Sequence, residues 1–218
     1  MKNRRKISLG LILLSAVFLI ALIATFIPIS RTEKTIDFTM INPAVPDVNL
    51  PVDLPIYLSE ELRVLKLSYP EQMWLEDTQF ITLSIISKVN NTAQKTVDSD
   101  QAGYHAYLEA RVEMGLVQVL TGNSVIEALK EKQSLQFFWQ IKPILSGRTN
   151  GFLWIFVNIT DSQNNDSWQL TRFALPISIE VKDILRLSLS SARILILVVL
   201  AFAISVLLGL RLILPQKK

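Results

Sequence analysis

The chain has 218 residues, half of them hydrophobic, with a mean hydropathy of +0.37 and a formal net charge of +3. It contains no cysteine, which excludes disulfides, thiolate metal sites and cysteine nucleophiles and tilts the source towards a prokaryote. The positive charge sits at the two ends: residues 1–30 and 194–218 hold Lys2, Arg4, Arg5, Lys6, Arg211, Lys217 and Lys218 and no acid. All 19 acidic residues lie between them with 15 basic ones, a net of about −4, so the basic average is not a nucleic-acid footprint.

After the tail of residues 1–6, Ile7 to Ser30 runs 24 residues without a charge. At about 1.5 Å per residue a helix of that length covers a hydrocarbon core of roughly 30 Å. A cleaved signal peptide would have a shorter apolar region and a small-x-small site, which ATFIPIS lacks. The expectation is an uncleaved membrane helix over 7–30. Residues 31–59 follow as an extended stalk, because PAVPDVNLPVDLP at 43–55 holds four of the nine prolines.

From about residue 60 the pattern changes to period two. FITLSIIS (80–87) is a β-branched run of strand length. In YHAYLEARVEM (104–114), Tyr104, Ala106, Leu108, Ala110, Val112 and Met114 share one face, and His105, Tyr107, Glu109, Arg111 and Glu113 the other. GNSVIEALKEKQ departs from this pattern: Ser124 and Glu127 have capping-box spacing for a short helix, and an irregular strand fits nearly as well. Leu135, Phe137, Trp139 and Ile141 alternate again, and Pro143, Gly147 and Asn150–Gly151 supply turn signals. FLWIFVNI (152–159) is apolar on both faces, as for a strand covered from both sides, and its six-residue apolar run is far short of the roughly 20 a spanning helix needs. The polar DSQNND (161–166) then turns into SWQLTRFAL, and PISIEV alternates once more. About seven strands over 60–182 predict a mainly β chain, an antiparallel β-sandwich.

Asp183 is a candidate start for a helical connector over 183–192 that runs into a second membrane helix at 193–214. The charge-free core of that helix is 17 residues, and Arg211 can snorkel to let Leu212–Leu214 complete the span. Residues 215–218 form the second tail. The basic clusters Lys2, Arg4, Arg5, Lys6 and Arg211, Lys217, Lys218 are topology anchors: the positive-inside rule puts both termini in the cytoplasm and the central domain outside, in a prokaryotic plasma membrane. Ala201, Ser205 and Gly209 are small residues at a spacing that lets another helix approach.

The order Tyr69-Pro70-x-x-Met73, a β run, FFWQIKP with Gly147 four residues after its proline, and an aromatic-rich strand resembles a known group of domains. It is similar to the immunoglobulin-like extracytoplasmic domains of bacterial membrane-anchored proteins with a W-x-I-x-P…G strand pair, over about 62–182. The glycine usual after the methionine is replaced here by Trp74–Leu75. The resemblance implies an immunoglobulin-like sandwich that serves as a binding or spacer module.

Signals for chemistry are sparse. His105 is the only histidine, with no cysteine or second histidine beside it and no G-x-S-x-G turn anywhere. Glu109 and Glu113 flank Arg111 on one strand face, as alternating charge on a solvated strand does. The loops with Asp98, Asp100 and Asp161, Asn164, Asp166 lack the closing glutamate of a calcium loop, so no metal is expected. Of the sequons at Asn90, Asn158 and Asn165, Asn158 falls in a predicted strand. No catalytic residue and no cofactor site is assigned, and no nucleic acid is expected. The expected function is a non-enzymatic membrane protein, bound to the lipid bilayer, whose sandwich contacts another membrane or envelope protein as an accessory subunit. The alternatives are a ligand sensor acting through partner helices and an envelope hydrolase; the short cytoplasmic tails leave no room for an output domain of a sensor.

Overall fold

The computed structural model describes residues 13, 15–23, 29–41, 54, 58, 61–88, 103–164, 166–183 and 187–212. Among these residues ten strands form two five-stranded sheets. In the first the order is β1 (Arg31–Phe38), β2 (Arg63–Pro70), β4 (Gln79–Ser87), β8 (Leu135–Pro143), β6 (Val117–Val119). In the second it is β3 (Gln72–Trp74), β10 (Ser167–Lys182), β9 (Gly147–Asp161), β5 (Tyr104–Met114), β7 (Ser124–Ala128). All pairings are antiparallel except β3 with β10.

The core lies between the sheets and follows the alternation of the sequence. Leu65 and Leu67 of β2, Ile81, Leu83 and Ile85 of β4, and Phe137, Trp139 and Ile141 of β8 meet Leu108, Ala110 and Val112 of β5 and Leu153, Ile155, Val157 and Ile159 of β9. Trp139 is fully enclosed, and its indole N–H donates to the Asn123 carbonyl at 3.2 Å, so its polar edge is satisfied. Tyr69 and Met73 both lie in this core.

Three expectations change, and the choice left open over 122–133 is decided for a strand. Residues 31–38 of the expected stalk are β1, paired along their whole length with β2. Met40, Ile41 and Leu58 are buried in the core, and the Ile41 N–H donates to the Leu58 carbonyl at 2.7 Å. Of the proline-rich segment only Leu54 is described, and it packs against this core. Ser124–Ala128 is a strand, β7, since its pairing with β5 outweighs a weak capping signal. Asn150–Gly151 is not a turn but lies inside β9, and the turn is confined to 144–146. SWQLTRFAL and PISIEV are one strand, β10. Pro176 is tolerated because β10 has β3 beside it only at Glu180–Lys182, so the missing N–H breaks no ladder bond, while its carbonyl accepts from Lys34 Nζ at 2.6 Å.

The C-terminal helix spans Leu189–Leu212. Its cap is Ser188, not Asp183: the Ser188 hydroxyl accepts from the Ser191 N–H at 3.3 Å, and its carbonyl takes the Ala192 N–H at 2.9 Å. Leu189–Val206 is long and apolar enough to cross a membrane, with a mean hydropathy of 2.4, and among the described residues it is the one such helix. Half of the first expected span, 7–30, lies outside the described residues; within it, residues 13 and 15–23 are helical and residues 29 and 30 are not.

Gly151 marks a close backbone approach between β9 and β5. A Cβ there would overlap the Glu113 carbonyl oxygen and lie 2.8 Å from the Met114 Cα, whereas one at Gly115 would meet nothing within 4 Å. Gly151→Ala is expected to destabilise the domain by about 1–3 kcal/mol, and Gly115→Ala to leave it nearly unchanged. Thermal melts of the two variants beside the parent protein check this contrast.

Candidate functional site

β9 was expected to be covered on both sides. Its inner row, Leu153, Ile155, Val157 and Ile159, is sealed, but no described element covers its outer row. Phe152 is 45% exposed there, with Trp154 and Phe156 half-buried beyond it. The three rings form a continuous row, with centroids 5.7 Å apart from Phe152 to Trp154 and 6.3 Å from Trp154 to Phe156. A strand that is aliphatic inside and aromatic outside is read as apolar on both faces by hydropathy alone.

β5 lies beside this row and adds charge to it. In register, Glu113 is opposite Phe152, Arg111 opposite Trp154 and Glu109 opposite Phe156. The Trp154 indole N–H donates to Glu113 Oε2 at 3.0 Å, and the Arg111 guanidinium lies 5.5 Å from the centre of the Phe156 ring. Such a cation–aromatic contact adds roughly 0.5–1 kcal/mol at an exposed site. Tyr107 and, on β7, Ile126 extend the apolar part of the same face, both exposed.

Glu109 is the fixed point of the face. The alternating charges of β5 were expected to be solvated, yet this carboxylate is only 7% exposed. Oε1 accepts from Arg111 Nη2 and from the Ser124 hydroxyl, each at 2.8 Å. Oε2 accepts from Asn158 Nδ2 at 3.3 Å and Gln169 Nε2 at 3.2 Å. Four strands thus send a donor to one carboxylate. The hydrogen bond from Arg111 holds its pKa below the ordinary value, against desolvation, with Ser124 and Asn158 acting in the same direction. A carboxylate stabilised in this way is a standing anion and not a proton donor at neutral pH.

The remaining sequence candidates lie apart from this face. His105 is exposed on β5 opposite Thr160. Asp161 uses Oδ1 to accept the Gln163 N–H at 2.8 Å and Oδ2 to accept Asn164 Nδ2 at 3.0 Å, which builds the β9–β10 turn. Asp98, Asp100 and the sequons at Asn90 and Asn165 are outside the described residues. Among the described residues no group of three or more histidines and acids could hold a metal ion. Asn158 is engaged with Glu109 within the sheet, so its amide is not presented as a glycosylation acceptor.

Of the topology anchors, Lys2, Arg4, Arg5, Lys6, Lys217 and Lys218 are outside the described residues, and Arg211 falls in the last turn of the C-terminal helix. Ala201 and Ser205 are exposed on that helix and Gly209 is half-buried. Ser205 donates to its own helix at the Ala201 carbonyl, 2.9 Å away. The buried helix positions, Ala192, Ile196 and Ala203, lie on roughly the opposite side at 3.6 residues per turn.

The Glu109 network sets a pH dependence. Because its folded-state pKa is depressed, the stability it contributes is fully present above the ordinary value of 4.5 and is lost as pH falls from there through the folded value. Glu109→Gln should therefore flatten the acid limb of the stability curve, and Glu109→Ala should cost about 1–3 kcal/mol at neutral pH by stranding its donors. Urea titrations at neutral pH and at pH values below 4.5 measure both effects.

No family model and no curated protein matches the chain. Solved structures to which the chain shows similarity include native alpha-2-macroglobulin of E. coli, at 14% identity and a TM-score of 0.32, covering 56% of this chain and 8% of that one. A second is the complex of zinc 2-glycoprotein and prolactin inducible protein from human seminal plasma, at 9% identity, TM-score 0.30, covering 52% and 88%. A third is AggA, the major subunit of aggregative adherence fimbriae type I of Escherichia coli, at 10% identity, TM-score 0.26, covering 70% and 96%. Similarity at this level transfers neither activity nor partner to this chain.

Proposed function

We propose that the chain is a two-span protein of a prokaryotic plasma membrane, with both termini cytoplasmic, that presents an immunoglobulin-like sandwich outside the cell to another membrane or envelope protein. It works there as an accessory subunit, without a reaction of its own. The observation that carries this reading is the outer face of the second sheet. Phe152, Trp154 and Phe156 form an uncovered aromatic row beside Arg111, whose charge is already paired with Glu109. Tryptophan, tyrosine and arginine dominate the energetic centres of protein interfaces, and a side chain held in place before binding loses little entropy on docking. The outer face of the first sheet is a weaker candidate: its exposed Phe80 and Phe138 stand opposite Gln140 and Thr82 and extend no such row.

The membrane part of the reading is supported by the C-terminal helix. Ile194, Val198 and Phe202 are each at least 60% exposed, an arrangement unfavourable in water and favourable in lipid. The basic residues near both spans support that orientation by the positive-inside rule.

The test is a photocrosslinker placed at Phe152 and, as a control, at Phe138 in the full chain in its native membrane. The expected result is one stoichiometric partner captured from position 152 and not from 138. Trp154→Ala should weaken recovery of that partner in mild detergent by about tenfold or more while the domain still melts cooperatively. A lone protein, or equal capture from both faces, overturns the reading.

A further inference from the structure

Both sheets begin and end together at one pole of the sandwich. Arg31 opens β1 opposite Pro70, Gln79 opens β4 opposite Ile141, Val117 opens β6 opposite Pro143, and Gly147 opens β9 opposite Val181. The chain enters the domain at Arg31 and leaves it at Lys182, so entry and exit share this pole. Between Lys182 and the helix at Leu189 lie residues 183–188, a connection that spans at most about 25 Å when fully extended. The pole is therefore tethered close to the start of the apolar helix.

Turns are ordinarily polar, and two at this pole expose aliphatic side chains. Leu116 between β5 and β6 is 43% exposed, and Ile144 and Leu145 between β8 and β9 are 56% and 55% exposed. Trp74 and Leu75 are half-buried beside them. Backbone hydrogen bonds gather these turns: the Ile144 N–H donates to the Leu116 carbonyl at 3.1 Å, and the Glu76 N–H to the Pro143 carbonyl at 3.2 Å. Leu116 has a φ of 57°, in the left-handed region where glycine or asparagine sits with less strain. A leucine is thus held in an unfavourable backbone conformation with its side chain open, which favours neither the local turn nor solubility in water. Charge at the pole is mixed, with Glu71, Glu76, Asp77 and Asp183 against Arg31, Lys142, Arg148 and Lys182, so no anionic surface is selected.

We infer that this pole rests in the interfacial zone of the bilayer, with Leu116, Ile144 and Leu145 inserted among the lipid headgroups. The inference builds on the membrane reading above and adds to it a second, non-spanning contact. The gain is the burial of apolar turn residues next to an anchor that already pays the cost of bringing the domain to the surface. Because the contact is apolar, it requires neither anionic lipid nor low salt.

The absence of cysteine allows single labels in the full chain. Leu116→Cys, Ile144→Cys, Gln163→Cys at the opposite pole and Phe202→Cys in the helix each carry an environment-sensitive fluorophore, reconstituted in phosphatidylcholine nanodiscs with spin-labelled lipid as quencher. Quenching at 116 and 144 is expected to exceed that at 163 by about threefold or more and to persist in high salt. Equal quenching at 144 and 163, with 202 strongly quenched, overturns the inference and leaves the membrane reading intact. Loss of quenching at 202 overturns both. Ile144 decides the matter if the Leu116 variant fails to fold, since 144 does not have a left-handed backbone.

Discussion

The register of β9 is the constraint on which the rest of the domain depends. This strand pairs with β10 on one side and with β5 on the other, and it is the element that ties the second sheet together. A slip of one residue would turn Leu153, Ile155, Val157 and Ile159 out of the core and drive Phe152, Trp154 and Phe156 into it. The shape of the inner row, aliphatic and branched, against the larger aromatic outer row makes that exchange sterically costly. Gly151 sharpens the same constraint, because only a residue without a Cβ lets β9 close on Glu113 and Met114 at that point. Core packing and surface chemistry are therefore two readings of one alignment.

The charge on the outer face follows from the same alignment. Glu109, Arg111 and Glu113 reach the aromatic row only because β5 is held in its register opposite Phe156, Trp154 and Phe152. With β7 and β10 supplying Ser124 and Gln169, the buried carboxylate draws on residues distant in the chain. An ion pair of this kind contributes little net stability in itself, since desolvation offsets much of the attraction. What it does is hold the neighbouring side chains in one arrangement, which suits a surface that binds without rearranging. The first sheet has a polar network of its own at one end: the buried Arg63 pairs with Glu61 at 2.8 Å and closes the 130–133 loop through the Lys130 and Gln133 carbonyls at 2.9 Å.

Much of the fold is legible in the sequence where alternation is strict. β5 and β8 emerge within a residue or so of their expected limits because each alternates a sealed row with a more polar one, and β4 does so as a β-branched run. β1 escapes notice since its inward residues include Thr32 and Lys34 beside Ile36 and Phe38, a pattern that is polar in part. Lys34 is accommodated by carrying its ammonium to the Pro176 carbonyl, 5.6 Å from the centre of the Tyr69 ring, which no local pattern announces. β3 and β6 are three residues each, too short for any period to show. The aromatic face was visible as residues 152, 154 and 156, but its exposure depends on what lies above the sheet. Glu109 was hardest to read, for its burial is set by partners from other strands.

The placement of β1 has a mechanical consequence. The two ends of the domain lie at one pole, so a lateral pull between them loads β1 at Arg31 and β10 at Lys182. In that geometry the tension is applied at one end of the β1–β2 pair, and the first pair of residues, Arg31 with Pro70, takes it before the next. Strands pulled this way peel in sequence, whereas strands pulled from opposite poles share the load and resist together. Peeling would first release the Arg31 contacts to Ser68 and to the Phe80 carbonyl and only later reach the Phe38–Phe173 ring contact at the far end. The sandwich is thus built as a fastener that yields gradually to separation of its two ends, with β1 as the flap that opens.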